Sequence, residues 1–411
     1  MTDSYHSFFI VVMLVAIVLV IIHLSRSVLT RIRVPPLVGY ILLGFVLRLA
    51  DLRWEILSVD GEKVFEFLAT IGLMASLFRI GLESNIRALL SQLRKASIVW
   101  IGDVGMSGFI GFLMAYYLLD LSLVPSLCCG VALTATSVGA SVRVWHNMGA
   151  LKSPKGELLL DVAELDDVSG IILMALLFAI LPVLRNAEQA DLLLTILKSA
   201  GLIMLRFVIF ATVCLLFSLY LEPHMTRWFK SISSPPRPML LVTGVGFLLA
   251  AVAGVMGFSV AIGAFFAGLA FSRDPKAVRM DASFKTLFEL FSPFFFVGIG
   301  LNLQPFGLLA GLGIGVVLLA AAFVGKLVGH GITTSFLVGW TGFLLIGTSM
   351  IPRAEIAMII MQRGLQAGPW AVPPEVFSGM AIVSMGTCLA APLIVRPMLE
   401  RWGVHGGADG P

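Results

Sequence analysis

Residues Glu157–Leu184 read ELLLDVAELDDVSGIILMALLFAILPVL, an apolar run with two adjacent acids, Asp166 and Asp167, inside it. A stretch this long and this apolar is a membrane-spanning helix, since about 20 such residues cross the hydrocarbon core. A carboxylate at that depth costs at least about 2.5 kcal/mol, and intramembrane acids mark ion or proton paths. Two in succession make ion transport the leading reading of the chain.

The rest of the sequence has the same character. It is 58% hydrophobic and 13% charged over 411 residues, with a mean hydropathy of +1.00, whereas a soluble domain is about 25% charged. The net charge of +4 does not point to nucleic acid, because the basic residues lie in short loops between apolar runs. Cys128, Cys129, Cys214 and Cys388 sit in apolar segments without metal-ligand spacing and read as small core residues. The N-terminus lacks a basic leader and a small-residue cleavage site, so Phe8–Ile22 reads as a retained first helix.

Windows of spanning length number about thirteen: 7–30, 35–50, 63–83, 96–118, 124–148, 156–184, 192–221, 238–257, 258–273, 284–302, 305–330, 338–365 and 374–397. The break between the eighth and ninth, Val255–Ser259, is weak. Lys and Arg placement orients them. An outside N-terminus leaves Arg31, Arg33, Arg87, Arg94, Lys95, Lys152, Lys155, Arg227, Lys230, Arg273, Lys276 and Arg401 on the cytoplasmic side, with Arg53, Lys63 and Arg185 outside. The expectation is N-out and C-in. The longest polar stretch is Glu222–Pro238 and the tail Val404–Pro411 is short. No nucleotide-binding domain, ATPase or extracellular receptor is expected in this chain, and it is not expected to be an enzyme.

The two halves echo each other at an offset of about 210–225 residues, a pattern typical of transporters. Gly39 and Gly44 in the second window match Gly263 and Gly268 in the ninth. Ile80-Gly81-Leu82-Glu83 matches Ile299-Gly300-Leu301-Asn302. Gly102-Asp103 matches Gly325-Lys326. Thr136-Ser137 followed by Arg143 matches Thr348-Ser349 followed by Arg353. With one linker helix at 192–221, these matches predict two six-helix units of inverted topology.

Two spans carry breaks at matching positions. The fifth is interrupted at Thr134-Ala135-Thr136-Ser137-Val138-Gly139-Ala140-Ser141, where hydroxyls compete for backbone partners. The twelfth is interrupted at Gly347-Thr348-Ser349-Met350-Ile351-Pro352, where Pro352 removes a donor and clashes with the preceding turn. Non-helical backbone survives at membrane depth only where protein or a wet cavity satisfies it. Paired breaks of this kind point to a midplane site.

The charged residues near the breaks supply the chemistry. Asp166 and Asp167 are about 100° apart around their helix and cannot share a face. Lys326, mid-span in Ala322–Gly329, must pair, deprotonate or reach water, and Asp166 is its natural partner. Glu164 shares Asp167's face better than Asp166's and reads equally as a third titrating group or an interhelical hydrogen-bonder. Arg353 and Glu355 suit the ends of the broken helix. Asp103 suits the positive N-terminal end of a half-helix. Arg79 reads as a snorkelling side chain, and His330, which closes the eleventh span, as a reporter of pH or, more plainly, an interfacial histidine. Arg206 and Glu289 have no evident role.

These segments together resemble the monovalent cation:proton antiporter superfamily, in particular bacterial sodium/proton antiporters and the membrane part of glutathione-gated potassium efflux systems. The resemblance runs through Pro36–Tyr40, Phe78–Glu83, Ala135–Arg143, Leu165–Gly170, Ala264–Leu269, Ser292–Leu301, Gly325–Lys326 and Pro352–Glu355. The Leu-Asp-Asp-Val and Pro-Arg-x-Glu segments are the most specific.

The resemblance implies an all-helical fold of thirteen spans with crossing discontinuous helices. A panel (1–83 and 238–302) would form a homodimer. A core (96–184 and 305–397) would move against it as an elevator, with the linker 192–221 between and 398–411 a short cytoplasmic tail. It implies that Asp167 binds cation and proton in turn, that Asp166 and Lys326 are the ion pair of the electrogenic branch, that Thr136 lies at the crossing, and that Glu355 is the family's twelfth-helix acid. Ser137 joins this set by its place in the break. The expected cargo is Na⁺ against protons, with K⁺ or Li⁺ as alternatives, across a prokaryotic inner membrane and with no resident cofactor. A channel or efflux pore on the same scaffold and a carrier of organic anions are the competing readings. The first is opposed by the short tail, the second by the buried lysine facing paired acids.

Overall fold

The structure is a computed structural model that describes residues 2–32, 34–83, 86–185, 192–222, 224–225, 238–256, 258–272 and 282–402. Arg33, Arg227, Lys230, Arg273, Lys276 and the tail beyond Trp402 lie outside them, as do the side chains of Arg87, Arg94 and Lys95. The described residues form helices and no strands. They are α1 (Thr2–Arg31), α2 (Pro36–Trp54), α3 (Val59–Glu83), α4 (Ile86–Leu113), α5 (Leu123–Thr134), α6 (Gly139–Asn147), α7 (Pro154–Arg185), α8 (Leu192–Leu216), α9 (Pro238–Val255), α10 (Val260–Phe271), α11 (Ala282–Leu301), α12 (Pro305–Ser349), α13 (Glu355–Ala367) and α14 (Pro374–Trp402). Eight stretches are long and apolar enough to cross a membrane, and three further apolar helices are shorter.

The chain divides into two compact units. The first comprises 1–32, 39–85 and 182–302, and the second 33–38, 86–181 and 303–411. Within the first, α3 packs along α10 and α11, and α9 along α10. Association inside a membrane gains nothing from excluding water, so close approach of small residues carries it. Gly44 of α2 faces Gly300 of α11, and Gly81 of α3 faces Gly268 of α10; a Cβ at any of the four would overlap the opposing backbone. Glu289, which had no evident role, and Arg79 find places in this unit. Glu289 accepts from Arg26 Nη2 at 2.9 Å. Arg79, expected to snorkel, lays its guanidinium 4.5 Å from the centre of the Phe288 ring, a cation–π contact that suits a cation held within the helix layer.

In the second unit α12 packs on α4 and α14, α4 on α5, and α5 on α13. Its core is built from Val99, Trp145, Leu159, Val162, Leu345, Ile346, Met350 and Val395. Here the helix boundaries depart from the sequence windows. The window 305–330 was expected to end at His330, yet α12 continues to Gly339, where φ 74 and ψ −177 break the helical path. Nothing in Gly331–Val338 breaks a helix, and the polar run Thr333-Thr334-Ser335 stays helical by bonding back to carbonyls three and four residues earlier. Glycine at 339 is required, because that positive φ disfavours any residue with a Cβ.

Candidate functional site

The fifth window is two helices in the structure. α5 stops at Thr134, Ala135 is extended at φ −69 and ψ 136, and α6 begins at Gly139. The twelfth is likewise split. α12 stops at Ser349, Ala354 sits at φ −140 and ψ −99, and α13 begins at Glu355. The two links meet: Ser137 N–H donates to Pro352 C=O at 2.8 Å. Each break thereby satisfies part of the other's backbone, as the membrane interior demands.

Charged side chains complete the half-helix ends. α5 terminates with carbonyls that lack helical partners, and Lys326 Nζ donates to Thr134 C=O at 2.9 Å. At the end of α12, Arg353 Nη1 donates to Met350, Ile351 and Pro352 carbonyls at 2.9, 2.9 and 3.1 Å. Both cations stand at C-termini, where the helix dipole favours them. Glu355 opens α13, where an anion is favoured, and accepts from Ser137 Oγ at 2.8 Å. Lys326 and Arg353 are fully buried.

Lys326 also donates to Asp103 Oδ2, and its Nζ stands 3.6 Å from Asp166 Oδ2. The expected Lys326–Asp166 pairing is therefore present, but the tighter partner is Asp103. This corrects the assignment of Asp103 to a half-helix N-terminus. It faces the lysine instead, because Gly102 and Gly329 let α4 and α12 approach closely. Asp103 further accepts from Ser107 Oγ at 3.2 Å and lies 3.1 Å from His330 Nε2. His330 is thus a buried member of the cluster rather than an interfacial residue. Its spacing from Lys326, four residues along one helix, carried the signal that placed both on one face.

Asp166 is 1% exposed, and neither carboxyl oxygen has a hydrogen bond among the described residues. The Thr136 hydroxyl, also buried, adjoins it and is likewise without a hydrogen bond. The backbone at Asp166 is held from the side: Ser169 Oγ donates to its carbonyl at 2.9 Å, and Trp100 Nε1 donates to Ser169 at 2.8 Å. Trp145 Nε1 donates to Ser349 Oγ at 2.8 Å, tying α6 to the last residue before the α12 break. Neither tryptophan was marked by the sequence. Asp167 and Glu164 are half-buried, on other faces of α7 from the fully buried Asp166. Oxygens of this type, carboxylate and hydroxyl, suit hard cations rather than soft transition metals.

Broken helices crossing beside a buried acid–lysine cluster, in a chain whose described residues form helices and no strands, define a polytopic membrane transporter. Residues 13–401 match the family model described as sodium/hydrogen exchanger, transmembrane, and the chain belongs to that family. It is 27% identical over 353 residues to the high-affinity Na⁺/H⁺ antiporter NhaS3 of Synechocystis sp., covering 82% of this chain and 72% of that one. It is 26% identical to the Na⁺/H⁺-K⁺ antiporter GerN of Bacillus cereus over 94% of each. The sodium proton antiporter MjNhaP1 of Methanocaldococcus jannaschii superposes with a TM-score of 0.68 at 16% identity, covering 97% of this chain and 98% of that one. The fold is that of MjNhaP1.

Proposed function

We propose that the protein is a secondary active antiporter that exchanges Na⁺ for protons across a prokaryotic inner membrane. The observation that carries this reading is the buried Asp166 carboxylate, with neither oxygen hydrogen-bonded, beside a lysine 3.6 Å away and the Ser137–Pro352 crossing. In this reading Na⁺ is held by Asp167 with Asp166, near the Thr136 hydroxyl, and protons compete for the same carboxylates. Only one kind of ion is carried at a time, so a gradient of either drives the other. Lys326 pairs with Asp166 when the cation has left, and this acid–lysine pair supports an electrogenic exchange.

The same reading has thirteen spans in two inverted repeats, N-terminus outside and C-terminus cytoplasmic, working as a homodimer by an elevator motion. Contacts within each unit support the repeat. The Gly44–Gly300 contact and the Gly268–Gly81 contact exchange under the sequence match, and Asp103 and Lys326, matched to each other, are bonded.

The test is a proteoliposome assay in which a pH gradient is imposed and Na⁺, Li⁺ or K⁺ is added in turn. Na⁺ is expected to dissipate the gradient, and Asp167→Asn to abolish the response while leaving the protein folded. A response retained in that variant overturns the site assignment. Full-length similarity to an Na⁺/H⁺-K⁺ antiporter supports K⁺ as the second cation, and the K⁺ arm of the assay reads it directly.

A further inference from the structure

His330 lies one helical turn beyond Lys326 on α12 and is fully buried. Its Nε2 stands 3.1 Å from Asp103 Oδ2, the same oxygen that Lys326 holds. A second buried carboxylate, Asp166, waits 3.6 Å from the lysine without a hydrogen bond. One ammonium thus serves two acids in a place where an uncompensated charge is costly, and a histidine is positioned to stand in for it at only one of them.

We propose that Asp103 and His330 form a second station for Lys326 and that the protonation of His330 decides which acid the lysine serves. With His330 neutral, Asp103 requires the ammonium and holds it, together with the Thr134 carbonyl, off Asp166. The Asp166 carboxylate is then open to a cation. When His330 takes up a proton, the imidazolium satisfies Asp103, Lys326 turns to Asp166, and cation binding there is opposed. His330 is a positioning residue that acts through Lys326 without touching the ion. The inference rests on the antiporter reading and adds to it a built-in acid brake.

The charged surroundings of His330 are consistent with this exchange of partners. Asp103 faces it from α4 and Lys326 precedes it on α12. Asp166 of α7 and Arg353 at the break interact with the same lysine. α14 runs alongside α12, with Ile382 against Gly315 and Gly386 against Leu319. Its charged pair further along, Arg396 and Glu400, is bonded internally at 2.9 Å and half exposed. Among the described residues, Asp103 is therefore the carboxylate within reach of the imidazole. A proton on His330 has one direct electrostatic consequence, which is to loosen the hold of Asp103 on Lys326.

The test compares the wild type with His330→Gln, His330→Asn and Asp103→Asn in proteoliposomes, recording Na⁺-driven proton movement from about pH 5 to about pH 9. The two histidine variants are expected to move half-activation toward acid by about one pH unit and to lower the Na⁺ KM at the acid end several-fold. Asp103→Asn frees the lysine at every pH and is expected to move half-activation toward alkali and to raise the Na⁺ KM about tenfold. A histidine with a merely structural role would alter yield or stability and leave the profile in place. Histidine variants whose profiles overlay the wild type overturn the inference, as do shifts of the same sign in both kinds of variant. If Asp103→Asn does not fold, the two histidine variants decide. Exchange by the wild type in the same vesicles separates failure of this inference from failure of the antiporter reading.

Discussion

Replacing Lys326 by methionine tests the central cluster most directly. Methionine keeps the length and most of the volume of the side chain, so the change is chiefly loss of charge. Three interactions go with it: the bond to Asp103, the bond to the Thr134 carbonyl at 2.9 Å, and the attraction to Asp166 at 3.6 Å. Two unit charges at that last distance attract by about 4–5 kcal/mol at an effective dielectric of about 20, before desolvation is counted. Removing one partner of a buried pair is destabilising by about 3–5 kcal/mol, because the other charge remains without compensation. For a chain of this size that corresponds to a fall of about 3–6 °C in apparent melting temperature. The assay is thermal unfolding of the purified protein in detergent, with Asp103→Asn and the double variant beside it. If Asp103 is the principal partner, the double variant recovers about half or more of the loss, since the orphaned charge is removed along with its counter-ion. Full recovery is not expected while Asp166 remains. The reasoning is refuted if the losses of the two single variants add within about 0.5 kcal/mol, as they do for groups that do not interact.

Two further outcomes follow from the broken helices. Arg353→Met leaves the Met350, Ile351 and Pro352 carbonyls without their shared donor; hydrogen bonds to charged groups are worth about 1.5–3 kcal/mol each, so melting is expected to fall at least as far as in Lys326→Met, and an unchanged melting temperature would show the guanidinium to be dispensable. Trp145→Phe removes the 2.8 Å bond to Ser349 and opens a small cavity at a fully buried site. Together these are expected to cost about 2 kcal/mol and to slow exchange in liposomes, whereas wild-type melting would argue that the strut holds nothing.

Some features were legible residue by residue. The apolar windows became helices because backbone groups in hydrocarbon have no partner but one another. Helices ended just before Pro352, which lacks a donor, and within the hydroxyl run 134–141, where Ser137 Oγ turns to Glu355. The angular separation of Asp166 from Asp167 followed from helical periodicity alone, and the structure buries the first while leaving the second half-buried. The interfacial reading of His330 failed for a local reason: Thr333-Thr334-Ser335 begins three residues further on and looks like the edge of a span, whereas the burial of the histidine depends on α4 arriving with Asp103.

What the sequence by itself determined was the class of element and the chemistry available at each depth: helices throughout, interruptions at two places, and a lysine with acids that cannot stand alone in an apolar medium. Those follow from properties of single residues and of short spacings along one helix. The choice of partners was decided only when helices remote in sequence packed together. Gly102 and Gly329 let α4 and α12 approach closely enough for Asp103 to take Lys326, and the crossing brought Ser137 to Pro352 and Glu355. Which charges meet depends on distances of a few ångströms across elements about 200 residues apart, and no local pattern encodes such a distance.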